Sequence, residues 1–322
     1  MSRNTAPDTL LAEAIAGDRR ALAQIITTLE DGRSDCGGLV EALRPHLSGI
    51  AVIGFTGPPG AGKSTLINAL IKVWREAGKR LAVIAVDPSS PVSGGALLGD
   101  RIRMTAALDD DGVFVRSLAS HGHLGGLSPS SARIIDAFDA TNYDLVLLET
   151  VGTGQNEVDI AAVADIGVVI VAPGLGDGIQ AMKSGLLEIA DVLVVNKGDR
   201  PDAPETAQQL QAAVSLREGI GRAPNILQTT ATTGLGVEAL AAATDELLAT
   251  KLAQTTAAKR RRQRGRYIVE RLAVSAIQAA LEGDADNRSD QLIEAVLSGK
   301  CSAKEAAIEL LAQSETSGSA SQ

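Results

Sequence analysis

Between residues 50 and 229 the chain alternates short apolar runs with longer stretches in which apolar positions recur every three or four residues. The runs are Ile50 to Phe55, Leu81 to Val86, Val113 to Ser117, Leu145 to Glu149, Gly167 to Ala172, Val192 to Asn196 and Ile226 to Thr229. Near-continuous Val, Ile and Leu mark strands buried on both faces, and their alternation with amphipathic helices predicts a mostly parallel sheet covered by helices. The runs stop at Gly, Asp, Glu or Asn. In open α/β sheets ligands sit beyond the carboxyl ends of the strands, so these polar residues are expected to converge on one rim.

The flanks read differently. Leu10, Leu11, Ile15 and then Leu22, Ile25, Ile26, Leu29 carry a helical period that breaks near Gly32 to Gly38, which predicts a short helical preface. After about residue 237 the strand signals cease, and Tyr267, Ile268, Leu272, Ile277, Leu281 followed by Leu292, Ile293, Val296, Leu297 predict further helices. The polar Ser314 to Gln322 is expected to be disordered. No internal repeat is visible.

At 322 residues the chain can bury a full core. Thirty Lys and Arg against 39 Asp and Glu leave a charge of -9, so no global basic field draws it to nucleic acid or to anionic lipid. Aromatics at 2% leave too few stacking platforms for a general single-strand binder. Cys36 and Cys301, with His46, His121 and His123, offer neither a disulfide framework nor a thiolate zinc site. Ser2 to Asp8 lacks the layout of a signal peptide and no apolar run reaches a membrane span, so a reducing, cytoplasmic setting is expected.

Gly57-Pro58-Pro59-Gly60-Ala61-Gly62-Lys63-Ser64 follows the first strand and opens a helix with Thr65, Leu66, Ile67 and Leu70, which is the sequence and context of a phosphate loop. Glycines there let backbone N–H groups turn toward phosphates, and the helix N-terminus adds positive potential. Lys63 is expected to reach the β and γ phosphates, and the Ser64 hydroxyl to ligate Mg2+.

Asn196-Lys197-Gly198-Asp199 ends a later strand and fits N-K-x-D. In GTPases with that motif the Asp carboxylate accepts two hydrogen bonds that guanine offers and adenine does not, so GTP is favoured over ATP. Asn196 and Lys197 are expected to brace the loop and cover the ring. Thr230-Ala231-Thr232-Thr233-Gly234-Leu235-Gly236 is a weaker match to the loop that meets the guanine oxygen, and by itself also reads as a Gly-rich turn before a helix near Val237.

Glu149-Thr150-Val151-Gly152 ends a strand where most GTPases carry D-x-x-G. Glu149 would hold the magnesium shell through water, and the Gly152 N–H would meet the γ-phosphate. Thr153 stands where Ras-like enzymes place a water-orienting Gln, which predicts slow unaided hydrolysis. The loop Asp87 to Asp100 supplies two more carboxylates. Asp87 is a candidate for the magnesium shell. Asp100 could enter that shell, place the attacking water, or cap a helix through Arg101, Ile102 and Arg103.

Taken together these segments resemble the methylmalonyl-CoA mutase-associated GTPases, the MeaB/ArgK type of P-loop G protein. The resemblance runs through G-D-R-R-A-L-A at Gly17 to Ala23, G-P-P-G-A-G-K-S-T, D-P-S-S with G-G-A-L-L-G-D-R-I-R-M, H-L-G-G-L at His123 to Leu127, E-T-V-G-T-G-Q-N-E and E-I-A-D-V-L-V-V-N-K-G-D. It implies an α/β P-loop NTPase fold, with an N-terminal helical extension over 1–48, a GTPase domain over 49–250 and a C-terminal helical dimerisation region over 251–322. It implies a homodimeric GTPase that gates adenosylcobalamin loading into an acyl-CoA mutase and helps eject damaged cofactor, with an adenosyltransferase as a further partner. Carried over residue by residue, it assigns phosphate contacts to Gly60, Gly62, Lys63, Ser64 and Thr65, a magnesium and switch network to Asp87, Asp100 and Glu149, and guanine contacts to Asn196, Lys197 and Asp199. Lys183, in Gly176 to Lys183, matches a lysine that couples partner binding to hydrolysis. The chain departs from the family pattern at Pro91-Val92-Ser93 and at Gly178, Ala181 and Ser184.

Other readings make different demands. A nickel-delivering GTPase of hydrogenase or urease maturation needs a soft-metal Cys or His cluster. A kinase linked to amino-acid transport predicts ATP use. A nucleotide-independent scaffold leaves the strand-end polar residues unexplained. The basic run Lys259 to Arg266 is expected to be a solvated helix face, with a dimer contact or an acidic partner surface as the sharper alternative.

Overall fold

The computed structural model describes residues 6–31, 36–87, 110–119, 127, 130–150, 159–174, 185–216, 223–283 and 288–309. Its strands are β1 (Ala51–Thr56), β2 (Leu81–Asp87), β3 (Val113–Ala119), β4 (Leu145–Thr150), β5 (Ile166–Val171), β6 (Val192–Val195) and β7 (Asn225–Gln228). All pair in parallel in one sheet of order β3-β2-β4-β1-β5-β6-β7, as the apolar runs predict. The ends shift by only one or two residues because strand composition, not end chemistry, carries the signal. Central β1 pairs with β4, Phe55 opposite Glu149, and with β5, Thr56 opposite Val169.

Alternation sends Ile53 and Phe55 to one face of the sheet and Gly54 and Thr56 to the other. The first face is covered by α4 (Lys63–Glu76) and, further along the chain, by the helix Val237–Ala253, whose Leu66, Ile67, Leu70, Trp74, Leu240 and Leu248 share one apolar core with Phe55, Val83, Leu147 and Ile170. The second face is covered in part by short helices, among them Ile160–Val163 and Leu186–Ile189, and by Ala203–Ser215. A Cβ on Gly54 would lie 2.5 Å from Cγ1 of Ile160, so the absence of a side chain there lets that helix seat directly on β1.

The described residues of the preface include the α-helices α1 (Pro7–Ile15), α2 (Arg19–Asp31) and α3 (Cys36–Leu43). The third was not expected, because Gly37 and Gly38 read as breakers. Cys36, Leu39 and Leu43 nonetheless make a buried stripe at i, i+3 and i+7, and its packing outweighs the glycine penalty. Arg19 ties α2 to the sheet, donating to the carbonyls of Asp111 at 3.1 Å and Val113 at 2.8 Å beneath the ring of Phe114.

The compact units are Met1–Gly265 and Arg266–Gln322. The helix Ala257–Gly283 begins in the first, and there the basic run corrects the expectation of a solvated face. Arg260 and Arg264 both reach the Asp165 carboxylate, at 3.1 and 3.0 Å, with side chains only 12% and 5% exposed. They also donate to the carbonyls of Gly49, Ile50 and Val163. Arg261 pairs with Asp136 at 3.3 Å, while burial pushes the Asp136 carboxyl up. Lys259 and Arg262 remain exposed. In the second unit, Ser302 and Glu305 exchange backbone and side-chain hydrogen bonds as a capping box for the helix 303–309. Val269, Leu272, Ile293 and Leu297 there are exposed. Among the described residues no helix is long and apolar enough to cross a membrane.

Candidate nucleotide site

The turn from β1 into α4 is built on glycine. Gly57, Gly60 and Gly62 have φ of 138°, 81° and 87°, a region that side-chain-bearing residues rarely enter. Together they bend residues 57–62 into a cradle ending at the first turn of α4, and the N-terminal end of a helix favours an anion. Pro59, Gly60 and Thr65 are exposed on it, and Ala61 is buried beneath it. The Lys63 ammonium lies inside the loop, donating to the carbonyls of Gly57 at 2.7 Å and Pro58 at 3.0 Å. A cation held on neutral carbonyls is placed to meet a stronger anionic acceptor.

Ser64 and Glu149 meet where β4 lies beside β1. The Ser64 hydroxyl donates to Glu149 Oε1 at 2.7 Å, and both residues are buried. The two come from the starts and ends of different elements: Ser64 from the first turn of α4, Glu149 from the penultimate position of β4. The Glu149 carboxylate thus faces the hydroxyl that the phosphate-loop motif assigns to the metal. Asp87 closes β2 on the same rim, its backbone in register with Ala119. The side chain of Asp87, together with Asp100, Gly152, Lys183, His121 and His123, lies outside the described residues.

The base-side loops are joined to the phosphate loop through Asn196, which follows β6. Its amide donates to the Ala61 carbonyl at 2.9 Å, and its Oδ1 accepts from the Thr229 hydroxyl and the Ala231 N–H, each at 3.2 Å. A Cβ on Gly62 would lie 2.5 Å from the Asn196 amide nitrogen, so only glycine lets the loops approach this closely. Lys197 adopts φ of 58°, a left-handed conformation costly for a residue with a side chain and therefore held by its surroundings. The Gly198 N–H donates to the Thr229 carbonyl, and Asp199 projects into the open. The following turn is closed by Thr230 against Leu235, with Thr230 buried, Ala231 half-buried and Thr232 exposed.

Phosphate loop, Glu149 and N-K-x-D thus converge on one rim of the sheet. The donor set of Ser64 and Glu149 is all oxygen, the chemistry that suits Mg2+. Two residues without an assigned role also lie here: the buried hydroxyls of Thr56 and Thr150 are hydrogen-bonded at 3.1 Å. Their sequence signal was only a polar residue directly after each apolar run.

Comparison with known proteins places this geometry. Residues 22–286 match the family model described as methylmalonyl Co-A mutase-associated GTPase MeaB. A putative GTPase of Pyrococcus horikoshii is 48% identical over 237 residues, 72% of this chain and 75% of that one. The GTPase ArgK of Escherichia coli is 41% identical over 197 residues, covering 59% of this chain and 60% of that protein. Among solved structures, one titled LAO/AO transport system kinase superposes with a TM-score of 0.75 over 96% of this chain and 98% of its own, at 24% identity, a likeness of fold.

Proposed function

The chain belongs to the methylmalonyl-CoA mutase-associated GTPase family and is a P-loop GTPase, and from that premise we propose that it uses a cycle of Mg2+-dependent GTP binding and hydrolysis to gate adenosylcobalamin loading, protection and reactivation of a cobalamin-dependent acyl-CoA mutase. The observation that carries the nucleotide part is Asn196, which makes the phosphate loop and the N-K-x-D loop one hydrogen-bonded unit. A nucleotide lying along that unit would reach both ends of it.

In this reading the backbone of Gly57 to Gly62, with Pro59 and Ala61, cradles the phosphates, and Thr65 adds a contact at the start of α4. The Lys63 ammonium exchanges the carbonyls of Gly57 and Pro58 for β and γ phosphate oxygens, gaining charge-assisted bonds. Ser64, Asp87 and Asp100 would hold Mg2+, with Glu149 acting on its shell through water; the Ser64 hydroxyl already lies beside the Glu149 carboxylate. Mg2+ bound there would neutralise charge developing on the phosphates. Asp199 accepts two hydrogen bonds from guanine, Lys197 covers the ring, and Thr230 to Thr232 approach the guanine oxygen. Gly152 senses the γ-phosphate, and Lys183 couples the partner to hydrolysis.

The partner is an adenosylcobalamin-dependent acyl-CoA mutase in the cytoplasm, with an adenosyltransferase as a second contact, and the working form is a homodimer. Exposed Val269 and Leu297, at 67% and 75%, support a second copy covering the C-terminal unit. The test is hydrolysis of GTP and ATP by the purified chain, alone and with candidate mutases. Slow GTP turnover accelerated by the cognate mutase is expected. ATP turnover with a phosphorylated product would instead favour the transport-linked kinase.

A further inference from the structure

The pair Thr56 and Thr150 stands out chemically. Every other residue of β1 and β4 is aliphatic, aromatic or glycine except Glu149. Valine would fill the same volume as threonine and keep the layer apolar, so what the two hydroxyls add is one directional bond. The register that sets Phe55 opposite Glu149 brings the next residues, Thr56 and Thr150, side by side on the opposite face. There the Thr150 hydroxyl donates to the Thr56 hydroxyl oxygen at 3.1 Å and lies 3.5 Å from the Phe55 carbonyl oxygen. Exposure of 0% for Thr56 and 1% for Thr150 leaves water no access, and a buried hydroxyl that loses its partner is costly.

Position gives the bond a consequence. Thr56 is the last residue before Gly57 and the phosphate loop, and Thr150 directly follows Glu149. Strand alternation converts the bond on one face into an orientation on the other: with Thr150 held to Thr56, the preceding side chain, Glu149, faces Ser64, where the 2.7 Å hydrogen bond is found. The same face of β1 carries a second tie. The chain leaving β4 at Thr150 is back on β1 at Ile160, seated on Gly54 two residues before Thr56. Both ties hold to the strand that ends in the phosphate loop.

We propose that the Thr56–Thr150 hydroxyl pair is a positioning element of the nucleotide site, holding the end of β4 against the root of the phosphate loop so that Glu149 faces Ser64, and thereby setting the magnesium-dependent preference for guanosine triphosphate over diphosphate. This rests on the nucleotide-site reading above. Loss of one hydrogen bond between neutral groups predicts a change of about three- to ten-fold.

The experiment is calorimetric titration of the full chain and of Thr150→Val, Thr150→Ser, Thr56→Val and the double valine variant, with GDP and with a non-hydrolysable GTP analogue, each in Mg2+ and in chelator. Thr150→Val is expected to lose about three- to ten-fold in analogue affinity in Mg2+ while GDP affinity in chelator stays unchanged. Thr150→Ser restores the loss, and the double variant loses no more than either single one, because both singles break the same bond. Equal weakening of GDP and analogue with and without Mg2+, no weakening at all, or additive losses in the double variant would each overturn the proposal. Should Thr150→Val fail to fold, Thr56→Val carries the same expectation and the same refutation. A parent chain that binds neither nucleotide sinks the nucleotide reading itself, an outcome distinct from a parent that binds and a valine variant that matches it.

Discussion

The Asn196 side-chain amide donates to the Ala61 carbonyl oxygen across 2.9 Å, and the oxygen of the same amide accepts from Thr229 and Ala231. One buried side chain therefore joins the ends of β1, β6 and β7. In Asn196→Ala the Ala61 carbonyl, the Thr229 hydroxyl and the Ala231 N–H lose a partner together. The variant is expected to unfold about 1–3 kcal/mol more easily in urea and to bind guanine nucleotides at least about ten-fold more weakly. Unchanged titration of GDP would show that the amide braces nothing the nucleotide needs.

Lys63→Ala removes the ammonium that the phosphate loop holds on two carbonyls. Tight binding of GTP and GDP should disappear in calorimetry while the circular dichroism spectrum stays that of the parent. By contrast, Lys183→Ala should retain nucleotide affinity and lose stimulation by the cognate mutase. Equal stimulation of variant and parent would remove Lys183 from the coupling role.

Asp165 holds two guanidinium groups and the Val52 N–H at once. Removing the carboxylate leaves the buried Arg264 and the largely buried Arg260 with neutral carbonyls alone, the costly way to break an ion pair. Asp165→Ala is thus expected to destabilise the chain by about 3–5 kcal/mol in denaturant unfolding, more than Arg264→Met, which removes a cation that burial already disfavours. A smaller loss for Asp165→Ala than for Arg264→Met would contradict the geometry.

Acid stability has a local contributor in Asp110. Its bidentate partner Arg75 and the Gly112 N–H hold its carboxyl below the usual carboxylate range. The unfolded chain then binds this proton more readily than the folded one. The stabilisation is therefore full above the ordinary carboxylate range and is lost as pH falls through the lowered value. With a side chain about a third open to solvent, it should amount to less than about 1 kcal/mol. Asp110→Asn is expected to flatten the acid limb of a plot of unfolding free energy against pH by that amount. An identical limb in the variant would discount the pair.

The amino-acid sequence by itself determined the parallel sheet, because strands buried on both faces must be nearly continuous in Val, Ile and Leu. It also determined which segments stand at the strand ends, since Gly57 to Ser64 and Asn196 to Asp199 are contiguous motifs legible without the fold. Other features depended on partners far along the chain. Arg260 and Arg264 read as solvated until Asp165, 95 and 99 residues away, supplied a buried carboxylate. The helix Cys36–Leu43 looked broken by glycine until packing on its apolar stripe outweighed propensity. Thr56 and Thr150 were ordinary strand ends until the parallel register set them side by side. Local pattern reports what a residue prefers in its own element. Only the tertiary structure decides which group it meets there, and for a buried polar atom that partner determines whether it stabilises or costs.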